Sequence, residues 1–210
     1  MRVPLRGLYA ITPDEADTRA LAAKVAAAAA GGIAALQYRN KAADAGLRRS
    51  QVEALLPIAR AHGVPLIVND DVELAVACGA DGAHLGGTDG DLREARRRLG
   101  SAKLLGASCY DRFDLALAAK AAGADYVAFG AAFASPTKPA AVRAPLALFA
   151  RAHRELGLPV VAIGGITVEN APALLEAGAE ALAVITDLFG APDIAARARA
   201  FNALFEAATP

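Results

Sequence analysis

The feature of this sequence that most constrains its fold is a rhythm with a period of about 25 residues. In each period a short apolar run precedes a glycine or polar break and then an alanine-rich amphipathic stretch, and eight such units follow one another along the chain. The apolar runs predict buried strands, and the amphipathic stretches predict helices. Strands that alternate with helices predict a parallel sheet with helices packed against it.

The predicted elements cover most of the chain. Strands are predicted at residues 7–12, 33–39, 64–69, 82–85, 103–108, 126–130, 160–163 and 181–186. Helices are predicted near residues 18–30, 44–62, 71–79, 89–99, 111–122, 145–157, 167–177 and 193–207. Several helices end at a glycine, which commonly supplies a left-handed cap to the last turn.

Eight units within 210 residues favour a closed barrel over the alternative of an open, doubly wound sheet. No low-complexity linker or block of charge marks a boundary inside the chain. We therefore predict a single-domain (β/α)8 barrel, also called a TIM barrel, over residues 1–210. In such a barrel the carboxyl ends of all strands meet at one face, so polar residues that are distant in sequence converge there.

Charge and composition exclude several classes of partner. Lys plus Arg and Asp plus Glu number 22 each, which argues against nucleic acid and against an anionic membrane as partners. No apolar stretch has the length of a membrane span, and the N-terminal residues lack a signal-peptide pattern. Cys78 and Cys109 lack metal-site spacing and suit a reducing compartment. We predict a cytoplasmic protein that acts on small molecules, and the sequence leaves open whether it is a homo-oligomer.

The second predicted strand ends in side chains that are typical of an anion site. Gln37, Arg39 and Lys41 are spaced by two, so an extended chain directs them to the same side. An Arg can donate two hydrogen bonds to a phosphate, and a Lys adds a point charge. The alternative is an ordinary solvated strand exit, but a charged strand that also directs Gln to the interior favours function.

Carboxylates follow the next two predicted strands. The third strand ends in Asn69, Asp70 and Asp71, and the fourth unit carries Asp89 in a glycine-rich loop. Carboxylates on adjacent loops beside a basic cluster would suit Mg²⁺ bound to a diphosphate, because Mg²⁺ needs only one or two carboxylates when phosphates fill other positions. The alternative is that Asp71 or Asp89 merely caps the following helix.

Three further strand ends have features of phosphate binding. The connection at residues 131–144 is long and contains Ser135, Thr137 and Lys138, although a flexible surface loop is the alternative. Gly165 after the seventh strand and Thr186 after the eighth lie where barrels often bind phosphate.

Three residues near the predicted strand ends differ in their expected roles. Ser108 is a plausible hydroxyl donor to a ligand at the end of the fifth strand. A single His84 without an evident partner is more often a packing or hydrogen-bonding residue than a catalytic one. Cys109 has no His or Asp at a spacing that would support a nucleophile.

Taken together, these segments resemble the thiamine phosphate synthase family over essentially the whole chain. The matching segments, in order, are GLYAIT, LQYRNK, PLIVNDD, ADGAHLGGTD, LLGASCY, ADYVAFG with SPTKPA, VAIGGIT and LAVIT. The resemblance implies a (β/α)8 transferase that uses Mg²⁺ and joins an aminopyrimidine diphosphate to a thiazole phosphate.

The resemblance also implies roles for individual positions. Those that would hold the pyrimidine diphosphate are Gln37, Tyr38, Arg39, Asn40, Lys41, Asn69, Ser108 and Lys138, with Arg39, Lys41, Ser108 and Lys138 as the catalytic set. The Mg²⁺ ligands would be Asp70 and Asp89. Those that would contact the thiazole phosphate are Ser135, Pro136, Thr137, Gly165, Ile185 and Thr186.

The implied reaction is departure of pyrophosphate from the pyrimidine methylene carbon, followed by attack of the thiazole nitrogen on the resulting cation. Cationic side chains and Mg²⁺ would stabilise the charge on the leaving group, and no protein nucleophile is needed. The sequence departs from the family pattern at Gly87, Ser135 and Asp71, and the extra acid at Asp71 leaves the choice of metal ligand open.

Two other functions fit parts of the pattern. One is a thiazole tautomerase-like isomerase, which would bind only the thiazole phosphate. The other is a non-catalytic barrel that binds a phosphate ligand and needs no metal. The presence of Arg39, Lys41, Asp70, Asp89 and Lys138 argues against the isomerase, because an isomerase has no diphosphate to neutralise.

Overall fold

A computed structural model describes residues 5–87, 89–134 and 142–208 of the chain. Its eight parallel strands form a closed barrel in which each strand pairs with its sequence neighbours and β8 pairs with β1. The strands are β1 Gly7–Ile11, β2 Ala35–Tyr38, β3 Leu66–Asn69, β4 Gly82–Leu85, β5 Leu104–Tyr110, β6 Tyr126–Phe129, β7 Val160–Ile163 and β8 Ala181–Val184. The predicted (β/α)8 barrel is confirmed, and the open-sheet alternative is wrong.

The helices follow the strands in the predicted order. They are α1 Thr18–Ala30, α2 Ala45–Ala61, α3 Val72–Cys78, α4 Leu92–Leu99, α5 Phe113–Ala121, α6 Leu146–Glu155, α7 Ala171–Glu176, α8 Thr186–Phe189 and α9 Ile194–Ala207. Within the described ranges, no helix combines the length and apolarity needed to cross a bilayer.

Differences from the predicted bounds have local causes. The fourth helix begins at Leu92 rather than near residue 89, because Asp91 accepts a hydrogen bond from the Glu94 amide and caps it. The seventh begins at Ala171 rather than near residue 167, because Asn170 ties the preceding turn to the Thr167 amide. Thr186 was predicted to end a strand, but it begins the short helix α8.

Side chains alternate between two apolar layers, as the period of a strand requires. Tyr9 and Tyr126 belong to the layer inside the barrel, together with Ile67 and Val161. The other strand residues pack between the barrel and the surrounding helices. This alternation decides which polar side chain at a strand end faces the mouth of the barrel and which faces a helix.

The first and last helices meet where the barrel closes. Asn202 on α9 donates hydrogen bonds to the carbonyl oxygens of Gly31 and Gly32 after α1. A Cβ at Gly31 would lie 2.5 Å from the carbonyl oxygen of Ala195, so this close approach requires a glycine. Residues far apart in sequence thus hold the seam between β8 and β1.

Candidate active site at the carboxyl ends of the strands

The end of β2 directs its side chains to two different surroundings. Gln37 points into the barrel, where its Nε2 donates to the Tyr9 hydroxyl at 2.8 Å. The next residue, Tyr38, points outward and donates to Gln51 Oε1 at 2.9 Å. Asn40 also donates to Gln51 Oε1, at 3.0 Å. The predicted alternation therefore holds for Gln37 and Tyr38, the last two residues of β2.

Tyr38 and Asn40 border the cavity described below, and each donates a hydrogen bond to helix α2. The substrate contacts that the resemblance implies for them stay predictions. Asn40 is buried, and its Oδ1 has no hydrogen-bond partner within the described residues. Because side chains alternate in direction along a strand, the Tyr38 ring lies between β2 and helix α2.

Arg39 and Lys41 are held by residues that the sequence reasoning missed. The Thr12 hydroxyl donates to the Arg39 carbonyl oxygen at 2.7 Å and accepts from its amide at 2.8 Å. Asp14 accepts a hydrogen bond from Arg39 Nη1 at 3.1 Å and another from the Lys41 amide at 2.8 Å. Thr12 and Asp14 lie just after β1, and the polar residues there could have suggested a contact with the end of the neighbouring strand β2. They fix the backbone of β2 beyond its last paired residue.

Asp70 and Asp89 come together although they lie on different loops. Burial and the neighbouring Asp89 carboxylate raise the pKa of Asp70, while Lys41 opposes this shift. Lys41 Nζ lies 3.2 Å from Asp70 Oδ2, and Asp89 Oδ2 accepts from the Gly86 amide at 2.8 Å. Asp70 also has a left-handed backbone, with φ of 63°. A non-glycine residue in this region at a strand end is often associated with a functional site.

Asp71 has a structural role. Its side chain accepts from the Leu74 amide at 2.8 Å and so caps α3. The capping alternative is therefore confirmed for Asp71. It is wrong for Asp89, because Asp91 caps α4.

The Asp70–Asp89 pair suits a divalent cation that has further ligands. The two carboxylates repel each other, and a bound cation would relieve this repulsion. Carboxylate oxygens are also the hard ligands that Mg²⁺ and Ca²⁺ prefer. Across the described part of the chain, no group of three or more His, Cys, Asp and Glu side chains is placed to hold a metal ion. A metal here would need oxygen ligands from a substrate.

A cavity of about 190 Å³ lies between the ends of β2 and β3. It is lined by Arg39, Lys41, Asn69 and Asp70, and also by Arg48 from the first turn of α2. Arg48 Nε is buried and has no hydrogen-bond partner among the described residues. The sequence reasoning missed Arg48 because it looked only at strand ends.

Ser108 lies at one end of a buried series of hydrogen bonds. His84 Nε2 is 2.8 Å from Ser108 Oγ, and His84 Nδ1 is 3.0 Å from the Tyr126 hydroxyl. The Tyr126 and Tyr9 hydroxyls are 2.7 Å apart, and Tyr9 accepts from Gln37. Burial lowers the pKa of His84 to about 4, so its ring is neutral at ordinary pH. The prediction of a hydrogen-bonding His84 is confirmed.

Cys109, next to Ser108, points away from this series. It is buried among the apolar residues outside the barrel, and burial raises its pKa to about 12. A thiol of this kind is a poor nucleophile. The structure agrees with the prediction that Cys109 does not act as one.

The carboxyl end of β7 meets the first residues of the long connection after β6. The amides of Ala132 and Phe133 donate to the carbonyl oxygens of Ile163 and Gly164, at 2.8 and 2.9 Å. Gly165 has φ of 64°, and a Cβ there would lie 2.4 Å from the carbonyl oxygen of Ala134. Only glycine fits this approach, so the chain at Gly165 packs closely against Ala134.

Ile185 and Thr186 lie at the neighbouring end of β8. Ile185 is half-buried and directly precedes the short helix α8, while Thr186 is exposed. The remaining predicted site residues lie outside the described ranges: Ser135, Pro136, Thr137 and Lys138.

Comparison with known proteins gives a consistent result. The family described as "Thiamine monophosphate synthase" matches residues 8–188. A protein of Chromobacterium violaceum named "Thiamine-phosphate synthase" is 59% identical over 203 residues, covering 97% of this chain and 98% of its own. One of Aromatoleum aromaticum with the same name is 57% identical over 203 residues, with the same coverage.

A solved structure is also similar. The thiamine phosphate pyrophosphorylase from Pyrococcus furiosus superposes with a TM-score of 0.86 at 30% identity and covers 97% of each chain. Neither the isomerase nor the non-catalytic alternative is supported by these similarities.

Proposed function

The chain belongs to the thiamine monophosphate synthase family, and from this membership we propose that it joins an aminopyrimidine diphosphate to a thiazole phosphate, forming thiamine phosphate and pyrophosphate. The proposal is supported above all by one observation, a cavity lined by three cationic side chains and by Asp70, whose carboxylate lies against that of Asp89. An isomerase of the thiazole alone would have no use for that cluster.

The cationic side chains have the geometry to hold a leaving diphosphate. Asp14 orients the Arg39 guanidinium, and Lys41 lies over the Asp70 carboxylate. Positive charge that is already in place stabilises the negative charge that grows on pyrophosphate as its bond to the methylene carbon breaks. Asn69 and Gln37 line the same side of the mouth and would position the pyrimidine ring.

The second substrate would bind across the mouth. The backbone at Gly165, together with Ile185 and Thr186, would hold the thiazole phosphate and direct the ring nitrogen towards the methylene carbon. Holding two reactants in this orientation is itself a large contribution to rate. Ser135, Pro136, Thr137 and Lys138 continue the chain from Ala134, which lies beside Gly165, and they stay predicted contacts.

We propose Asp70 and Asp89 as the residues that would hold Mg²⁺. When bound, Mg²⁺ would neutralise charge on the diphosphate and act as a Lewis acid. A cytoplasmic location remains a prediction from the sequence, and the oligomeric state remains open.

The proposed function predicts that pyrophosphate is released only when Mg²⁺ and both substrates are present. A coupled pyrophosphate assay with each component omitted in turn would test this. Isomerisation of the thiazole phosphate without pyrophosphate release would support the isomerase instead. Binding of the thiazole phosphate with no turnover of either kind would support the non-catalytic alternative.

Arg48 provides a second prediction. Its guanidinium lines the cavity, and no carboxylate in the described part of the chain forms an ion pair with it. We expect Arg48→Ala to raise KM for the pyrimidine diphosphate about tenfold, because a charge-assisted hydrogen bond to phosphate is lost. KM for the thiazole phosphate should stay within about twofold of wild type.

The adjacent residue gives a matched control for that prediction. Arg49 lies on the exposed face of the same helix and pairs with Glu53 at 2.9 Å. Arg49→Ala removes the same charge from the protein without removing it from the cavity. If both variants changed KM for the diphosphate equally, a general effect of net charge would explain the result and the assignment of Arg48 would be wrong.

A further inference from the structure

Five side chains on five different strands form an unbroken series of hydrogen bonds through the barrel. The series consists of Gln37, Tyr9, Tyr126, His84 and Ser108, with separations of 2.8, 2.7, 3.0 and 2.8 Å between successive polar atoms. The family resemblance implies substrate contacts for its two ends, Gln37 and Ser108. It implies nothing for the three residues between them.

The interior is shaped around this series. The Tyr126 and His84 rings stack at a centroid distance of 5.5 Å, and the Tyr9 ring meets Tyr126 edge-on at 5.8 Å. A Cβ at Gly106 would lie 2.1 Å from the Tyr126 ring and 2.5 Å from His84 Nδ1. The glycine therefore makes room for the two rings at this point of β5.

The first bond of the series fixes the direction of all the others. The Tyr9 oxygen accepts from Gln37 Nε2, so the single hydrogen of the Tyr9 hydroxyl is free to donate. Its only partner within the described ranges is the Tyr126 oxygen. Tyr126 must then donate to His84 Nδ1, which leaves Nε2–H to donate to Ser108 Oγ.

With the Gln37 amide nitrogen facing Tyr9, other proton arrangements leave a buried group without a partner. If His84 carried its hydrogen on Nδ1, or on both nitrogens, Tyr126 would accept from it and donate to Tyr9. The Tyr9 hydroxyl would then have a hydrogen with no acceptor at a wholly buried position, which is costly. Rotation of the Gln37 amide would reverse every bond in the series, so the polarities of the two ends are linked.

We propose that Tyr9, Tyr126 and His84 are positioning residues that direct the Ser108 hydroxyl hydrogen into the mouth of the barrel. Ser108 is then a donor and requires an acceptor atom on the substrate. One of the two Gln37 amide hydrogens is used inside the barrel, which leaves the side-chain oxygen and the second N–H for the substrate. The pair would select a ring edge that presents an acceptor to Ser108 and a polar atom to Gln37. This inference rests on the proposed function for its substrate.

The proton arrangement can be measured without any enzymatic activity. The chain has three His residues, so ¹⁵N spectra of His-labelled protein can be assigned with His62→Gln and His153→Gln variants. We expect the Nε2–H tautomer for His84 at neutral pH, with a change at Nδ1 when Tyr126→Phe removes its donor. An Nδ1–H tautomer or a doubly protonated ring would overturn the proposal, whether or not the protein is a synthase.

A double-mutant cycle tests whether the series acts through Ser108. Tyr126→Phe keeps the stacked ring and should lower kcat/KM for the pyrimidine diphosphate about tenfold, leaving KM for the thiazole phosphate unchanged. In a Ser108→Ala background, the same change should have no further effect. If the two substitutions instead lowered kcat/KM by independent factors that multiply in the double variant, the proposal would be overturned.

Two further variants keep this test interpretable. Cys109→Ala removes a buried polar group beside Ser108 but outside the barrel, and its kinetics should match wild type. Thermal unfolding would show whether Tyr126→Phe folds. If it does not, Tyr9→Phe takes its place and should lower kcat/KM in the same way. An unchanged Ser108→Ala enzyme would instead contradict the role proposed for Ser108.

Discussion

Replacing Asp70 by Asn should abolish most of the activity and stabilise the fold. Loss of one of two carboxylates that would hold Mg²⁺ should lower kcat by about a hundred- to a thousandfold. At the same time, the change removes the repulsion from Asp89 and the cost of burying a charged carboxylate, both of which raise the pKa of Asp70. Asn also tolerates the left-handed backbone at this position. Steady-state kinetics over a range of Mg²⁺ and thermal unfolding would measure the two effects.

The gain in stability should depend on pH with a defined sign. Because the pKa of Asp70 is raised in the folded state, the carboxylate destabilises the fold as pH rises through that pKa. Below the pKa of Asp in the unfolded chain both states are protonated, and the two proteins should unfold at similar temperatures. The stabilisation by Asp70→Asn should appear only at higher pH.

Asp71 gives the matched control for Asp70. Asp71→Ala should destabilise the protein by about 1 kcal/mol, because the cap of α3 is lost, and should leave kcat within a few-fold of wild type. The neighbouring acids should therefore have opposite effects on stability and on activity. If Asp71→Ala lost activity as severely as Asp70→Asn, the assignment of Asp70 as the metal ligand at this strand end would be wrong.

Replacing Gly165 by Ala should disable one substrate site selectively. The new Cβ would collide with the carbonyl oxygen of Ala134 and displace the backbone there. A displacement of about 1 Å in a positioning segment can cost on the order of a hundredfold, so we expect KM for the thiazole phosphate to rise by that order. KM for the pyrimidine diphosphate should change little, as kinetics with each substrate varied in turn would show.

Gly63 separates collision from backbone strain. It has φ of 66°, close to that of Gly165, but a Cβ there would meet nothing within 4 Å. Gly63→Ala therefore carries the same cost of about 1 kcal/mol for a left-handed Ala, without the collision. It should lower the unfolding temperature slightly and leave both KM values unchanged. Equal rises in both KM values for Gly165→Ala would contradict a separate thiazole phosphate site.

The barrel and the convergence of its strand ends could be predicted from the sequence because both follow from local periodicity. The alternation in β2 likewise turned Gln37 into the barrel and the Tyr38 hydroxyl towards helix α2. Because β2 ends at Tyr38, the strand period did not decide the positions of the next three residues, Arg39, Asn40 and Lys41, which border one cavity.

Some site residues could not be predicted from the sequence, because they reach the site through partners that are distant in the chain. Tyr9 and Tyr126 meet across 117 residues, and nothing local to either indicates a partner. Arg48 contributes from a helix rather than from a strand end. The role of Asp71 was ambiguous because a helix cap and a metal ligand both follow a strand, and only its contact with the Leu74 amide separates them.

The contact between the first and last helices has a consequence for biosynthesis. β1 can pair with β8, and α1 can meet Asn202, only after almost the whole chain has left the ribosome. Half-barrels that form earlier expose unpaired strand edges, which invite association with other chains. The rate at which the seam closes should therefore decide how much newly made protein becomes active rather than aggregated.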